Sequence, residues 1–203
     1  QRVLRATNSW LYAQTRNGSY RYDIEKGFVC TFSGLVLKSA TAHLFHAGDS
    51  RIYRLAGTTL EQLTEDHRVW MSADKSYLSR ALGMRENLQL DYHAHAVEEG
   101  DTFILATDGV YEFVLPTVIA QIIGEYGGDL NEAARLIVAR ALSQGSDDNL
   151  TIQIARVDQL GGHDMQELQE HALILPFPPE LQSRLLFDGY RIIREIHHSP
   201  RSH

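Results

Sequence analysis

The sequence holds a single cysteine, Cys30, so no internal disulfide can form and nothing points to an oxidising compartment. Proline is scarce: three of its five residues sit together at Pro176, Pro178 and Pro179. No apolar run approaches the roughly 18 residues of a membrane span. The opening residues QRVLRATNSW lack both the apolar stretch and the small-residue cleavage site of a secretory signal. Basic residues are in the minority, with 19 Lys and Arg against 26 Asp and Glu and a formal charge of −7. That balance argues against a nucleic-acid-binding protein, which needs a basic face to neutralise phosphates. What remains is an ordinary globular composition, 43% hydrophobic and 22% charged over 203 residues, enough for one domain and a short appendage. With no initiator methionine, the chain is expected to be a cytoplasmic fragment of a longer protein, with no membrane segment of its own.

Residues 1–15 carry Val3, Leu4, Trp10 and Leu11 at roughly helical spacing without Gly or Pro, which predicts a helix. FVCTFSGLVL, ATAHLFHAG and SRIYRLAG follow, rich in β-branched and aromatic residues and divided by turn residues, and they read as successive antiparallel strands. LEQLT, LQLDYHAHAV, TFILA and NLTIQIARV read as further strands, with Phe103 to Ala106 buried on both faces. Residues 67–82 are mixed in pattern and read as partly helical, ending near Gly83. The clearest helix is Leu130 to Leu142, whose apolar residues fall on one face behind an Asp129 N-cap and a capping-box Glu132. Pro116 to Tyr126 is a weaker one. Gly161-Gly162 and the prolines then bracket a polar, linker-like stretch, after which FDGYRIIREI is again strand-like.

Four aspartates share one context, the end of a strand or the loop beside it: Asp49 in HAGDSRIY, Asp66 in LTEDHRV, Asp108 in ILATDGVYE and Asp148 in GSDDNLTI. Strand ends can gather side chains that are distant in sequence. Gathered carboxylates repel one another, and a hard divalent cation relieves the repulsion; an oxygen-only set favours Mg²⁺ or Mn²⁺ over Zn²⁺. Taken singly, each Asp-Gly or Gly-Asp pair is equally compatible with a plain turn.

The series GDSRIY, LTEDH, LSRALG, GDTFILATDGVYE and GSDDNLTIQI resembles the metal-dependent protein phosphatase (PPM) family, the type-2C serine/threonine phosphatases. The five motifs run in the family's order and cover most of residues 1–158. The resemblance implies an α+β fold of two packed antiparallel β-sheets flanked by helices. It implies that Asp108 and Asp148 are catalytic residues that hold a pair of Mg²⁺ or Mn²⁺ ions, and that Asp66, with Asp108, can hold a third. Glu112 stands as a further metal ligand where many relatives have Asp. Asp49, Arg51, Gly109 and Asn149 are the supporting residues, with Arg51 a partner for buried acids and Asn149 orienting the Asp148 loop through its side-chain amide. The implied reaction is hydrolysis of phosphoserine and phosphothreonine in a protein substrate by metal-activated water. The family's opening segment, with its phosphate-gripping Arg and its metal-bridging Asp, has no counterpart here, and FVCTFSGLV stands where relatives have a Gly-Thr-Thr-like run. An incomplete site, weak metal binding and weak or absent activity are therefore expected of the chain alone.

Cys30 reads as a small buried hydrophobe within a strand. His93 and His95 alternate on one strand face and could share a metal, whereas His43 and His46 must face opposite ways. His67, beside Asp66, is expected near the mouth of the site. The tail LFDGYRIIREIHHSPRSH resembles the first strand of a protein kinase domain, as in bacterial proteins that fuse such a phosphatase to a kinase. The expected organisation is a phosphatase domain over 1–158, a linker over 159–183 and the start of a kinase-like domain over 184–203. The alternative is a non-catalytic, phosphatase-like module that docks or regulates the attached kinase.

Overall fold

The computed structural model describes residues 2–23, 26–72, 75–160, 186–187, 190–191 and 193. The chain divides into two units, residues 1–161 and 162–203.

The first unit opens with helix α1 (Arg2–Asn17). Its buried contacts are polar: Asn8 Nδ2 donates to the Arg85 and Glu86 carbonyls, both at 3.0 Å, and Asn8 Oδ1 accepts from the Gly83 N–H at 2.9 Å. Thr15 Oγ1 accepts from the Phe28 N–H at 2.8 Å. Two buried polar side chains thus pin the helix by satisfying backbone groups that would otherwise be stranded away from water.

Strands β1 (Phe32–Lys38) and β2 (Thr41–Ala47) form a hairpin, and β7 (Asp91–Ala96) pairs with the far edge of β2, giving the sheet order β1-β2-β7. The second sheet runs β4-β3-β8-β9, from β3 (Arg51–Ala56), β4 (Thr59–Gln62), β8 (Thr102–Ala106) and β9 (Ile152–Arg156), all antiparallel. Period-two alternation explains how the sheets stack. Ala42 and Leu44 of β2 meet Ile52 of β3 and Phe103 of β8 in one core, joined by Val97 and Val157. The neighbouring residues Tyr53 and Ile104 point the opposite way, into a second core with Ile119 and Ile123 of α3 (Pro116–Glu125) and Ala133, Ile137 and Ala141 of α4 (Leu130–Ser143). β3 and β8 are therefore covered on both faces. Each fully buried side chain such as Phe103 or Ile137 contributes about 1.5–3 kcal/mol. The fold is α+β, with packed antiparallel sheets and flanking helices.

Four local expectations are corrected. The described residues of 67–82 are not helical: β5 (Arg68–Ser72) and β6 (Lys75–Leu78) pair antiparallel as a hairpin, with Arg68 opposite Leu78 and Val69 opposite Tyr77. The branched and aromatic residues of RVWM favour extended backbone, and the hairpin base is tied by Ser79 N–H to the His67 carbonyl at 2.8 Å. Cys30 is exposed and lies outside any regular strand, in an isolated bridge with Leu82, because β1 begins only at Phe32. The capping box of α4 is half made. Asp129 accepts from the Asn131 and Glu132 N–H groups, but the Glu132 carboxylate turns to Arg135 instead of reaching back. Leu142, at the end of the expected stripe, is exposed.

In the second unit Leu186–Phe187 pairs antiparallel with Tyr190–Arg191. The linker of 159–183 lies, from residue 161, outside the described residues, as does most of the kinase-like tail.

Candidate functional site

Antiparallel pairing of β8 with β9, Ala106 opposite Ile152, puts the end of β8 beside the start of β9. Asp108 and Asp148 lie just beyond those two ends. Asp108 opens the one-turn helix α2 (Asp108–Tyr111), and its Oδ1 accepts from the Gly109 N–H at 3.0 Å. The two loops are stitched together at Thr107, whose N–H donates to the Thr151 carbonyl and whose hydroxyl donates to the Asn149 carbonyl, both at 3.1 Å. A Cβ on Gly109 would lie 2.8 Å from the Asn149 carbonyl oxygen and 3.3 Å from the Asp148 Cβ, so a glycine is needed for this approach. Asp148 is exposed, and one of its oxygens accepts from the Asn149 backbone N–H at 2.6 Å. That bond comes from the backbone; the side-chain amide of Asn149 does not make it.

Asp49 enters from the β2–β3 loop. Gly48 adopts φ +128°, and a Cβ there would lie 2.5 Å from Thr31, so the loop packs onto Thr31 only as glycine. Asp49 is buried, and its carbonyl accepts from the Tyr111 hydroxyl at 2.8 Å.

The organising residue among these acids is one that the sequence reading did not single out. Arg68, at the first position of β5, donates from Nε to Asp49 at 2.5 Å, from Nη2 to Asp108 at 2.7 Å and from Nη1 to Glu112 at 3.0 Å. Burial is the largest influence and opposes its charge, but the bond to Asp49 together with the charges of Asp49 and Glu112 outweighs it and holds the guanidinium protonated. The signal was present as the Arg that directly follows Asp66-His67. Its meaning depended on the hairpin, which the sequence pattern did not disclose.

Asp66 belongs to a second arginine. Arg51 grips it with a fork, Nε at 2.9 Å and Nη2 at 2.7 Å, and lies 3.7 Å over the Tyr111 ring. Burial first, and then the Asp66 charge, push the Tyr111 hydroxyl well above its usual range, so it remains a donor. The structure thus brings Asp49, Asp108 and Glu112 onto Arg68, sets Asp148 beside Gly109, and holds Asp66 on Arg51.

His67 is not at a mouth. It is buried, its Nδ1 accepts from the Gly48 N–H at 3.1 Å and its Nε2 therefore donates to Asp91 at 2.9 Å. Burial works against the Asp91 charge, but His67 and Arg80 hold its carboxylate below the usual range. The His46 ring lies tilted against that of His67, centroids 4.8 Å apart, while His43 lies on the other face of β2 and bonds Tyr92. The His93 and His95 rings are 6.5 Å apart.

Asp108 and Asp148 offer oxygen donors of the kind Mg²⁺ or Mn²⁺ takes. Asp148 keeps one oxygen without a protein partner among the described residues, and a cavity of about 310 Å³, lined in part by Asp49, Arg68 and Asp108, opens at Asp108. Such a donor set fits one side of a hard-cation site. Among the described residues, no three His, Cys, Asp or Glu side chains are grouped to hold an ion.

Two antiparallel sheets with flanking helices and acids at adjoining strand ends define the class, a phosphatase-like α+β domain. The chain belongs to the Stage II sporulation protein E (SpoIIE) family, whose profile matches residues 1–158. It is similar to the serine/threonine phosphatase stp of Listeria welshimeri, 28% identical over 141 residues that cover 62% of this chain and 56% of that protein. The chain therefore spans little more than half the length of that relative. Among solved structures it is similar to PppA, a regulatory component of T6SS in Pseudomonas aeruginosa, with TM-score 0.65 and 28% identity over 75% of this chain and 66% of that one. It is also similar to the catalytic domain of the serine/threonine protein phosphatase PstP in complex with two manganese ions, with TM-score 0.65 and 25% identity over 76% and 68%.

Proposed function

We propose that the chain carries part of a metal-dependent protein serine/threonine phosphatase that hydrolyses phosphoserine and phosphothreonine. The observation that supports this most is the meeting of the Asp108 and Asp148 loops at adjoining strand ends, within a series of motifs in the family's order. Asp108 and Asp148 would hold Mg²⁺ or Mn²⁺, two ions with room for a third in the intact domain. Bound there, such ions lower the pKa of water and neutralise phosphoryl oxygens. The chain's own residues set the geometry. Gly109 lets the two loops approach, the Asn149 N–H fixes one oxygen of Asp148, and Tyr111 and Arg51 tie Asp49 and Asp66 to the same framework. Because among the described residues no third metal-binding side chain is grouped with Asp108 and Asp148, the chain alone is expected to turn over poorly.

The reading extends to a cytoplasmic phosphatase–kinase fusion, with residues 1–158 as phosphatase domain, 159–183 as linker and 184–203 as the start of the kinase; the resemblance of the tail supports this. Among the described residues no helix is long and apolar enough to cross a membrane. A non-catalytic docking module is the second reading, favoured by the single observation that Arg68 already pairs with three of the acids.

Hydrolysis of a phosphothreonine peptide and of p-nitrophenyl phosphate, with and without Mn²⁺, tests the proposal in this chain and in one extended upstream. Mn²⁺-dependent turnover is expected in the longer chain and should collapse with Asp108→Asn or Asp148→Asn. Turnover that survives both substitutions would overturn the metal reading. No turnover in the extended chain would favour the docking module.

A further inference from the structure

We propose that Arg68 is a built-in counter-cation that a divalent ion must displace from Asp108 and Glu112 before it can bind. The inference rests on the phosphatase reading and adds to it a residue that controls metal occupancy. One guanidinium spends all three of its nitrogens on three separate carboxylates, at 2.5, 2.7 and 3.0 Å. Carboxylates that share one guanidinium are close enough to repel strongly without a cation, and Arg68 supplies part of the positive charge that a divalent metal would otherwise bring.

The three contacts are unequal. The Asp49 partner is 10% exposed, whereas Asp108 is 28% and Glu112 48% exposed. The Asp49 contact, made through Nε on the least accessible side, is the anchor, because separating a buried charged pair leaves an uncompensated ion away from water. The Nη contacts go to the two more exposed carboxylates, and Asp108 shares with Asp49 and Arg68 the lining of the cavity. Displacement is therefore a turn of the guanidinium about its bond to Asp49, which frees Asp108 and Glu112 while Arg68 stays tethered. Competition of this kind makes the metal affinity of the chain lower than its carboxylates alone would give.

Mn²⁺ binding to the 203-residue chain, followed by calorimetry and by the electron paramagnetic resonance signal of free Mn²⁺, tests this without any turnover. Arg68→Met, which keeps an unbranched apolar stem and removes the guanidinium, should bind Mn²⁺ at least ~10-fold more tightly and should gain more thermal stability from Mn²⁺ than the unaltered chain. Arg68→Lys, a point charge that cannot fork, should fall between the two. Should Arg68→Met fail to fold, the unaltered protein decides by NMR during Mg²⁺ titration. The Arg68 Nη–H signals should shift while Nε–H keeps its bonded position. Measurable Mn²⁺ binding of equal strength in the unaltered and Arg68→Met proteins, or Nη–H signals that do not move as Mg²⁺ binds, would overturn the role of Arg68 and leave the phosphatase reading standing. No Mn²⁺ binding to either protein at millimolar concentration would overturn the metal reading and the proposal with it.

Discussion

The guanidinium of Arg51 lies 3.7 Å above the ring of Tyr111. Through that contact the GDSR segment and the TDGVYE segment, fifty-odd residues apart in sequence, share one framework: Arg51 grips Asp66, and the Tyr111 hydroxyl donates to the Asp49 carbonyl at 2.8 Å. Tyr111→Phe keeps the ring under Arg51 and strands a buried carbonyl. It should cost about 1–3 kcal/mol, read as a lower urea midpoint at unchanged slope. An unchanged midpoint would show that the hydroxyl bond contributes nothing.

Gly109 is the contact between the two aspartate loops. An alanine there would put its Cβ 2.8 Å from the Asn149 carbonyl oxygen, a backbone atom that cannot swing aside. Gly109→Ala should therefore destabilise by about 1–3 kcal/mol and displace Asp148. Gly124→Ala is the control, because nothing lies within 4 Å of its added carbon. Equal thermal midpoints for the two variants would contradict the close approach.

His46 gives the domain a pH dependence. It is buried with Nε2 on the Glu65 carbonyl, and burial first, then the neighbouring His67, hold its pKa below the ordinary histidine value. A group whose pKa is lowered by folding contributes stability above its unfolded value, near ~6.5, and that contribution is lost as pH falls through the folded value. Asp91 acts with the same sign, but its stabilisation is lost only as pH falls below the ordinary carboxylate range. The thermal midpoint should drop between pH 7.5 and 5. His46→Gln, which cannot titrate, should flatten that drop; an equal drop in the variant would remove His46 as its source.

Much of the sandwich was legible because β2 alternates, β8 is a short continuous apolar run, and turn residues divide the strands. The hairpin of β5 and β6 was not. It is short, and its apolar Val69 and Met71 are exposed, so apolar spacing does not mark a buried side there. That loss hid Arg68, because only the hairpin carries this side chain across to Asp108. The polar stripe of α1, Asn8 and Thr15, was likewise invisible to a pattern that looks for apolar spacing. Asp108 and Asp148 could be named from motif order, whereas their supporting bonds depend on backbone positions such as the Asn149 N–H that no side-chain pattern encodes.

The central claim is that Asp108 and Asp148 hold a divalent cation together, and equilibrium Mn²⁺ binding measured by electron paramagnetic resonance on the unaltered chain, Asp108→Asn and Asp148→Asn tests it most directly. Each substitution preserves shape and removes the charge that the ion needs. Both should weaken binding by roughly tenfold or more, a loss of about 1.4 kcal/mol for each factor of ten, with unchanged circular dichroism. Binding of undiminished strength in both variants would contradict the account.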